Sequence, residues 1–215
     1  MSPSLRLLIV PRWAGNARSD YYPWLTTKVA EGFKEVLALD LPHPEAPTLA
    51  AWVSGVRAAL GEDPAQLSRT VLLGHSVGCQ AALRALAELP PGITIAGLLC
   101  VAGWWTVDRP WDSLRPWINT PLDFTRARAA AGCVRVLISD NDPFTADHEG
   151  NRRTWQERLG AEVALVPSAR HFNGAEEPAV LEALHALTAD LMRADPADST
   201  IPRSPAPRSP TPARS

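Results

Sequence analysis

The chain has 215 residues, 46% of them hydrophobic and 20% charged, with a formal net charge of -2. Twenty-one Lys and Arg against 23 Asp and Glu leave no basic excess to hold a phosphate backbone, which argues against nucleic acid as the main partner. No apolar run approaches the roughly 18 residues that cross a bilayer, and three cysteines without a spacing pattern suit a reducing cytoplasm better than a disulfide framework.

The first aliphatic run, 5–11, carries Arg6, is too short for the apolar part of a signal peptide and reads as a strand. Further strand-like runs follow at 35–39, 70–73, 93–102, 133–139 and 162–166. Most lack the in-out alternation of a half-wet strand, so both of their faces are expected to be covered. Helical patterns fill the gaps at 21–33, 48–60, 77–89, 121–131, 145–159 and 178–192, the last opening on Pro178, where a missing N–H costs nothing. This alternation predicts a three-layer, doubly wound α/β sheet of about six mostly parallel strands, in one domain over residues 1–193. Ligands in such sheets bind beyond the C-terminal ends of the strands, so the loops after each strand are where chemistry is expected.

Residues 194–215 hold six of the 21 prolines with Ile201 as the one large aliphatic side chain, and read as a disordered Pro/Ser/Arg-rich tail. Its Arg-Ser-Pro repeats would suit either a docking segment for a protein partner or a solvated extension. Residues 103–120 form an unusually long connection that contains Trp104, Trp105, Trp111 and Trp117. Those rings are expected either to wall a substrate pocket, with Trp104 and Trp105 as candidates, or to plug the top of the sheet.

After the third strand comes Gly74-His75-Ser76-Val77-Gly78, a G-x-S-x-G lodged between an apolar strand and an alanine-rich helix. A sharp strand-to-helix turn would lift Ser76 above the sheet at a helix N-terminus, where negative charge is favoured. The Val77 N–H would face an oxyanion forming there. A second oxyanion donor is expected from the loop after the first strand, with the Trp13 N–H first and Arg12 next. Arg12 could instead meet a substrate carboxylate.

An activated serine needs a base and an orienting carboxylate, in the chain order Ser, acid, His. Among His43, His75, His148, His171 and His185, only His171 lies just past the last strand and before the final helix. His185 is mid-helix among apolar neighbours, and His148 is at a helix beginning. Asp142, stiffened by Pro143, is the expected acid after the fifth strand, and Asp140 is its rival. The acidic residues around 140–149 have neither calcium-loop glycine spacing nor a zinc signature, so no metal and no cofactor is expected.

On these residues the chain resembles the α/β-hydrolase superfamily. More narrowly it is similar to the small serine hydrolases typified by retinoblastoma-binding protein nine and the YdeN-like proteins. The likeness rests on Ile9-Val10-Pro11, Trp24, the elbow, Asp142-Pro143-Phe144 and His171-Phe172-Asn173, and spans about residues 5–192. It implies a compact core of about six parallel strands and a triad of Ser76, Asp142 and His171. Arg12 departs from the glycine common in the family, and the Leu-x-Cys-x-Glu motif linked to the retinoblastoma-binding relative is absent, so that relative's partner is not expected. The expected activity is carboxylesterase-like hydrolysis of a small or medium acyl ester or amide through an acyl-enzyme on Ser76. Acyl transfer, or a hydrolase fold retained for binding or regulation, are the alternatives. Histidine as base predicts activity that falls below about pH 6–7.

Overall fold

The computed structural model describes residues 5–194. The expected tail therefore lies outside the described residues, apart from Ala194 at the end of the last helix. Strands β1 (Arg6–Val10), β2 (Glu35–Ala38), β3 (Thr70–His75), β4 (Gly97–Val101), β5 (Cys133–Ser139) and β6 (Glu162–Val166) form one sheet. Its order is β2-β1-β3-β4-β5-β6, and every neighbouring pair is parallel. The order reverses between β1 and β3, which makes the crevice between their C-terminal ends the switch point at which such sheets bind ligands.

The α-helices among the described residues are α1 (Tyr22–Val29), α2 (Leu49–Leu60), α3 (Pro64–Leu67), α4 (Val77–Ala87), α5 (Arg115–Asn119), α6 (Phe124–Ala130), α7 (His148–Leu159) and α8 (Pro178–Ala194), with short 3-10 turns at Ala30–Gly32 and Asp112–Leu114. Two cores account for the unbroken apolar strands. Leu8, Val10, Leu72, Leu98 and Val136 face α2, α4, α6 and α7, whereas Leu7, Ile9, Val71, Leu73 and Leu99 face α1 and α8. Successive strand residues thus enter opposite cores, so no position is left for a polar alternate. One charged strand residue, Arg6, is buried. Its Nε donates to Thr70 Oγ1 at 2.7 Å, and its guanidinium reaches the carbonyls of Ala59 and Leu60 at the C-terminal end of α2, where a cation is favoured.

The ends of several elements differ from the sequence expectation for local reasons. Residues 93–96 are not strand, because Ile95 and Ala96 spend their N–H groups on Ala130 and Thr70 before pairing begins at Gly97. Asp123 and Asp147 cap α6 and α7 with their side chains, so these helices start later than the apolar pattern suggests. The short helices α3 and α5 were not anticipated. Among the described residues no helix is long and apolar enough to cross a membrane.

Candidate active site

Ser76 stands at the top of β3 with φ 55° and ψ -119°, a strained conformation for a residue with a Cβ. Its neighbours hold that turn. The Ser76 N–H donates to Val101 O at 2.8 Å, and Cys79 N–H donates to Ser76 O at 2.9 Å. The two glycines are obligatory on steric grounds. A Cβ at Gly74 would meet the Cys79 main chain at 2.8 Å, and one at Gly78 would meet Val10 O at 2.4 Å. Gly78 therefore lets α4 pass directly over the end of β1, bringing the β1 loop beside Ser76.

His171 and Asp142 come together above β5 and β6. His171 Nδ1 and Asp142 Oδ2 are 2.7 Å apart, with side chains only 7% and 3% exposed. The other Asp142 oxygen accepts the Phe144 N–H at 2.9 Å, which orients the carboxylate. Asp140 does not reach the imidazole. It accepts the Ser168 N–H at 2.7 Å, and Asn141 accepts the Arg170 N–H at 2.7 Å. Three consecutive side chains thus pin three points of the loop that carries His171. That loop needs pinning, because Ser168, Arg170 and Phe172 all have positive φ.

His75 is fully buried beneath this site. Its Nδ1 lies 2.8 Å from Tyr22 Oη, its Nε2 lies 2.8 Å from His171 O, and Tyr22 Oη also accepts the Arg12 N–H at 3.1 Å. An amide can only donate and a carbonyl can only accept, so the directions are determined. Tyr22 donates to Nδ1, and Nε2–H donates to His171 O. Burial first, and then the nearby His171, push the His75 pKa well below the ordinary histidine value, in keeping with this neutral form. Burial likewise raises the Tyr22 pKa, so its hydroxyl stays protonated.

The β1 loop turns at Ala14, which has positive φ, and Trp13 is half-buried. Because the Arg12 N–H is committed to Tyr22, the Trp13 N–H is the donor from this loop that finds no acceptor among the described residues, as does the Val77 N–H at the start of α4. The Arg12 side chain does not project as a free cation. Nε and Nη2 clasp Asp20 at 2.7 and 3.0 Å, and Nη1 donates to Trp13 O at 2.7 Å. Burial acts to lower its pKa, but the hydrogen bond and charge of Asp20 outweigh that and hold the pKa up. Arg12 nevertheless lines the cavity, as expected from the sequence, with its guanidinium already engaged by Asp20.

Ser76, Val77, Trp13 and His171 line one cavity of about 350 Å³, in which Ser76 and His171 make no hydrogen bond to each other. Trp104 and Trp111 form walls as well. Trp105 does not. It packs 4.6 Å from Trp155 and 5.0 Å from Phe124, on the far side of the connection, because Gln80 holds the Trp104 carbonyl and Asn151 holds the Trp105 N–H. Trp117 is a plug, fully buried against Trp52. The two readings of the tryptophan loop therefore each describe part of it. Val107, Leu114, Phe144 and Asn173 also line the cavity. The Asp-Pro-Phe step could have pointed to Phe144, but Val107 and Leu114 carry no sequence signal. His185 is exposed rather than packed among its apolar neighbours. Among the described residues no His, Cys, Asp and Glu group could hold a metal ion.

A sequence model for a family described as serine hydrolase matches residues 7–188. YdeN of Bacillus subtilis (strain 168) is 26% identical over 102 residues, which are 46% of this chain and 50% of that relative, so the match spans about half the length of the curated protein. The crystal structure of the B. subtilis ydeN product superposes with a TM-score of 0.73 at 21% identity, covering 86% of this chain and 99% of that one. Est1E from Butyrivibrio proteoclasticus, solved with ferulic acid bound, gives a TM-score of 0.70 at 13% identity over 90% and 91% of the two chains. These structural likenesses bear out the compact α/β-hydrolase fold.

Proposed function

The chain belongs to the serine hydrolase family, and from that premise we propose that it hydrolyses small or medium carboxylic esters through an acyl-enzyme on Ser76. The observation that carries this reading is the buried His171–Asp142 pair, 2.7 Å apart, whose His171 lines one cavity with Ser76 at the strained elbow. In this scheme His171 Nε2 takes the Ser76 proton as the oxygen attacks the carbonyl carbon, and Asp142 holds the tautomer and stabilises the imidazolium. The Val77 and Trp13 N–H groups receive the oxyanion. Collapse breaks the ester C–O bond, with the proton passing to the departing alcohol. Water, deprotonated by His171, then releases the acid and restores Ser76. Esters are favoured over amides because an alcohol leaves with less help from the general acid. The esterases among the proteins sharing this fold are in keeping with that choice.

The test is labelling by a fluorophosphonate, comparing the wild type with Ser76→Ala and His171→Ala. Labelling of the wild type that disappears in both variants is expected. A folded wild type that stays unlabelled would move the chain to the binding-protein alternative.

A further inference from the structure

The cavity wall has a composition that a generic acyl pocket does not need. Four aromatic rings surround the space above Ser76: Trp13, Trp104, Trp111 and Phe144. Three of them form a continuous chain of edge contacts that ends on the base. Trp13 and Trp111 meet at 5.0 Å and 88°, Trp111 and Phe144 at 6.5 Å and 65°, and Phe144 and His171 at 4.7 Å and 72°. Trp111 and Phe144 nevertheless remain 39% and 40% exposed, so large apolar rings are held open at the mouth of the site rather than buried in a core. Rings in T-shaped arrangement alternate positive edges with negative faces, and a further ring entering between them finds both.

Charge narrows the class further. Among the described residues lining the cavity there is no carboxylate, and Arg12, the one guanidinium, is clasped by Asp20 and by the Trp13 carbonyl. Neither a carboxylate nor an ammonium on the substrate would find a free counter-charge, and desolvating it unpaired is unfavourable. Building on the esterase reading above, we infer that the site selects uncharged esters that carry an aromatic ring, with Trp111 and Phe144 as the residues that determine this specificity.

The experiment compares ester pairs that differ only in the ring, followed by acid release in a pH-stat so that no chromogenic aromatic leaving group intervenes. Ethyl 3-phenylpropanoate against ethyl 3-cyclohexylpropanoate places the ring on the acyl side. 2-Phenylethyl acetate against 2-cyclohexylethyl acetate places it on the alcohol side. A pocket that merely removed apolar surface from water would favour the saturated ring or show no preference. The expected result is a kcat/KM about three- to tenfold higher for the phenyl member in at least one pair, the gain ascribed to ring–ring geometry beyond burial. That ratio should fall to about one in Trp111→Leu and Phe144→Leu. Because both members are measured on the same preparation, partial loss of folded variant cancels in the ratio. A wild-type ratio at or below one in both pairs, or a ratio that persists in both variants, overturns the inference while ester turnover itself leaves the esterase reading standing. Absence of turnover on every ester, together with no fluorophosphonate labelling, overturns both.

Discussion

The ring of His75, the residue immediately before Ser76, donates from Nε2 to the main-chain carbonyl of His171 at 2.8 Å. One buried imidazole therefore ties the Ser76 turn to the loop of His171, and through Tyr22 to the Arg12 main chain beside Trp13, the proposed second oxyanion donor. Nothing in this link touches the reacting atoms, so His75 acts by positioning. Replacing it by Phe leaves the ring volume but removes both hydrogen bonds. The expected outcome is a kcat lower by about 10- to 100-fold with KM little changed, the scale of a small misplacement of catalytic groups. His75→Gln, which can still donate to the His171 carbonyl, should recover part of the loss. Equal defects in the two variants would show that the bond to His171 is not what matters.

The same ring makes stability depend on pH. Burial, followed by the nearby His171, pushes its pKa well below the ordinary value, although the hydrogen bond to the His171 main chain opposes this in part. The folded protein keeps the ring neutral, whereas the unfolded chain takes up a proton below about pH 6.5. The unfolded state then binds more protons, so stability present above that pH is lost as the pH falls. Thermal melts at a series of pH values should show Tm of the wild type declining below about pH 6.5, with a shallower decline in His75→Phe. Parallel curves would assign the dependence to another group.

Asp140 and Asp142 stand two residues apart and touch different things. Asp142→Asn should lower kcat by about 10³- to 10⁴-fold, because the amide favours the wrong imidazole tautomer. Among the described residues Asp140 meets only the Ser168 N–H, on the loop that carries His171. Asp140→Asn is therefore expected to change kcat by less than about tenfold and stability by about 1 kcal/mol, the scale of one hydrogen bond. Steady-state kinetics on one ester, beside thermal melts, separate the two. Comparable kcat losses would move the orienting role away from Asp142 alone.

Gly78→Ala places a methyl group 2.4 Å from Val10 O and 2.6 Å from Pro11 O. Main-chain oxygens at the end of a buried strand cannot move aside as a flexible side chain would. The variant should lose about 1–3 kcal/mol of stability, and the displaced β1 loop should lower kcat as well. Gly92→Ala, where the new Cβ meets nothing within 4 Å but φ is +84°, supplies a contrast in which strain alone acts on a distant turn. There stability should fall while kcat stays unchanged.

The inner strands were legible because both of their faces are buried, whereas the edge strands β2 and β6 are partly exposed. A run such as Leu7-Leu8-Ile9-Val10 has no polar alternate, and each element position within it is fully covered. Helix starts were less legible, since Asp123 and Asp147 act as caps only once their side chains fold back on the main chain. Ser76, Asp142 and His171 were proposed from chain order and from their place after particular strands. Tyr22 and Asp20 were not, because nothing local marks a hydroxyl or carboxylate whose partner lies across the sheet or on another loop.

The sequence by itself determined the alternation of strands and helices, the glycines that permit a sharp turn at Ser76, and the three side chains proposed for catalysis. These are short-range properties, set by periodicity, steric freedom and order along the chain. Only the tertiary structure decided that Asp142 rather than Asp140 meets His171, that Asp20 neutralises Arg12, and that Trp104 and Trp111 face the cavity while Trp105 turns away. Each of those outcomes depends on which distant main-chain group binds a carboxylate, a guanidinium or a peptide N–H. Adjacent residues of the same type share every local preference, so long-range contacts alone can tell them apart.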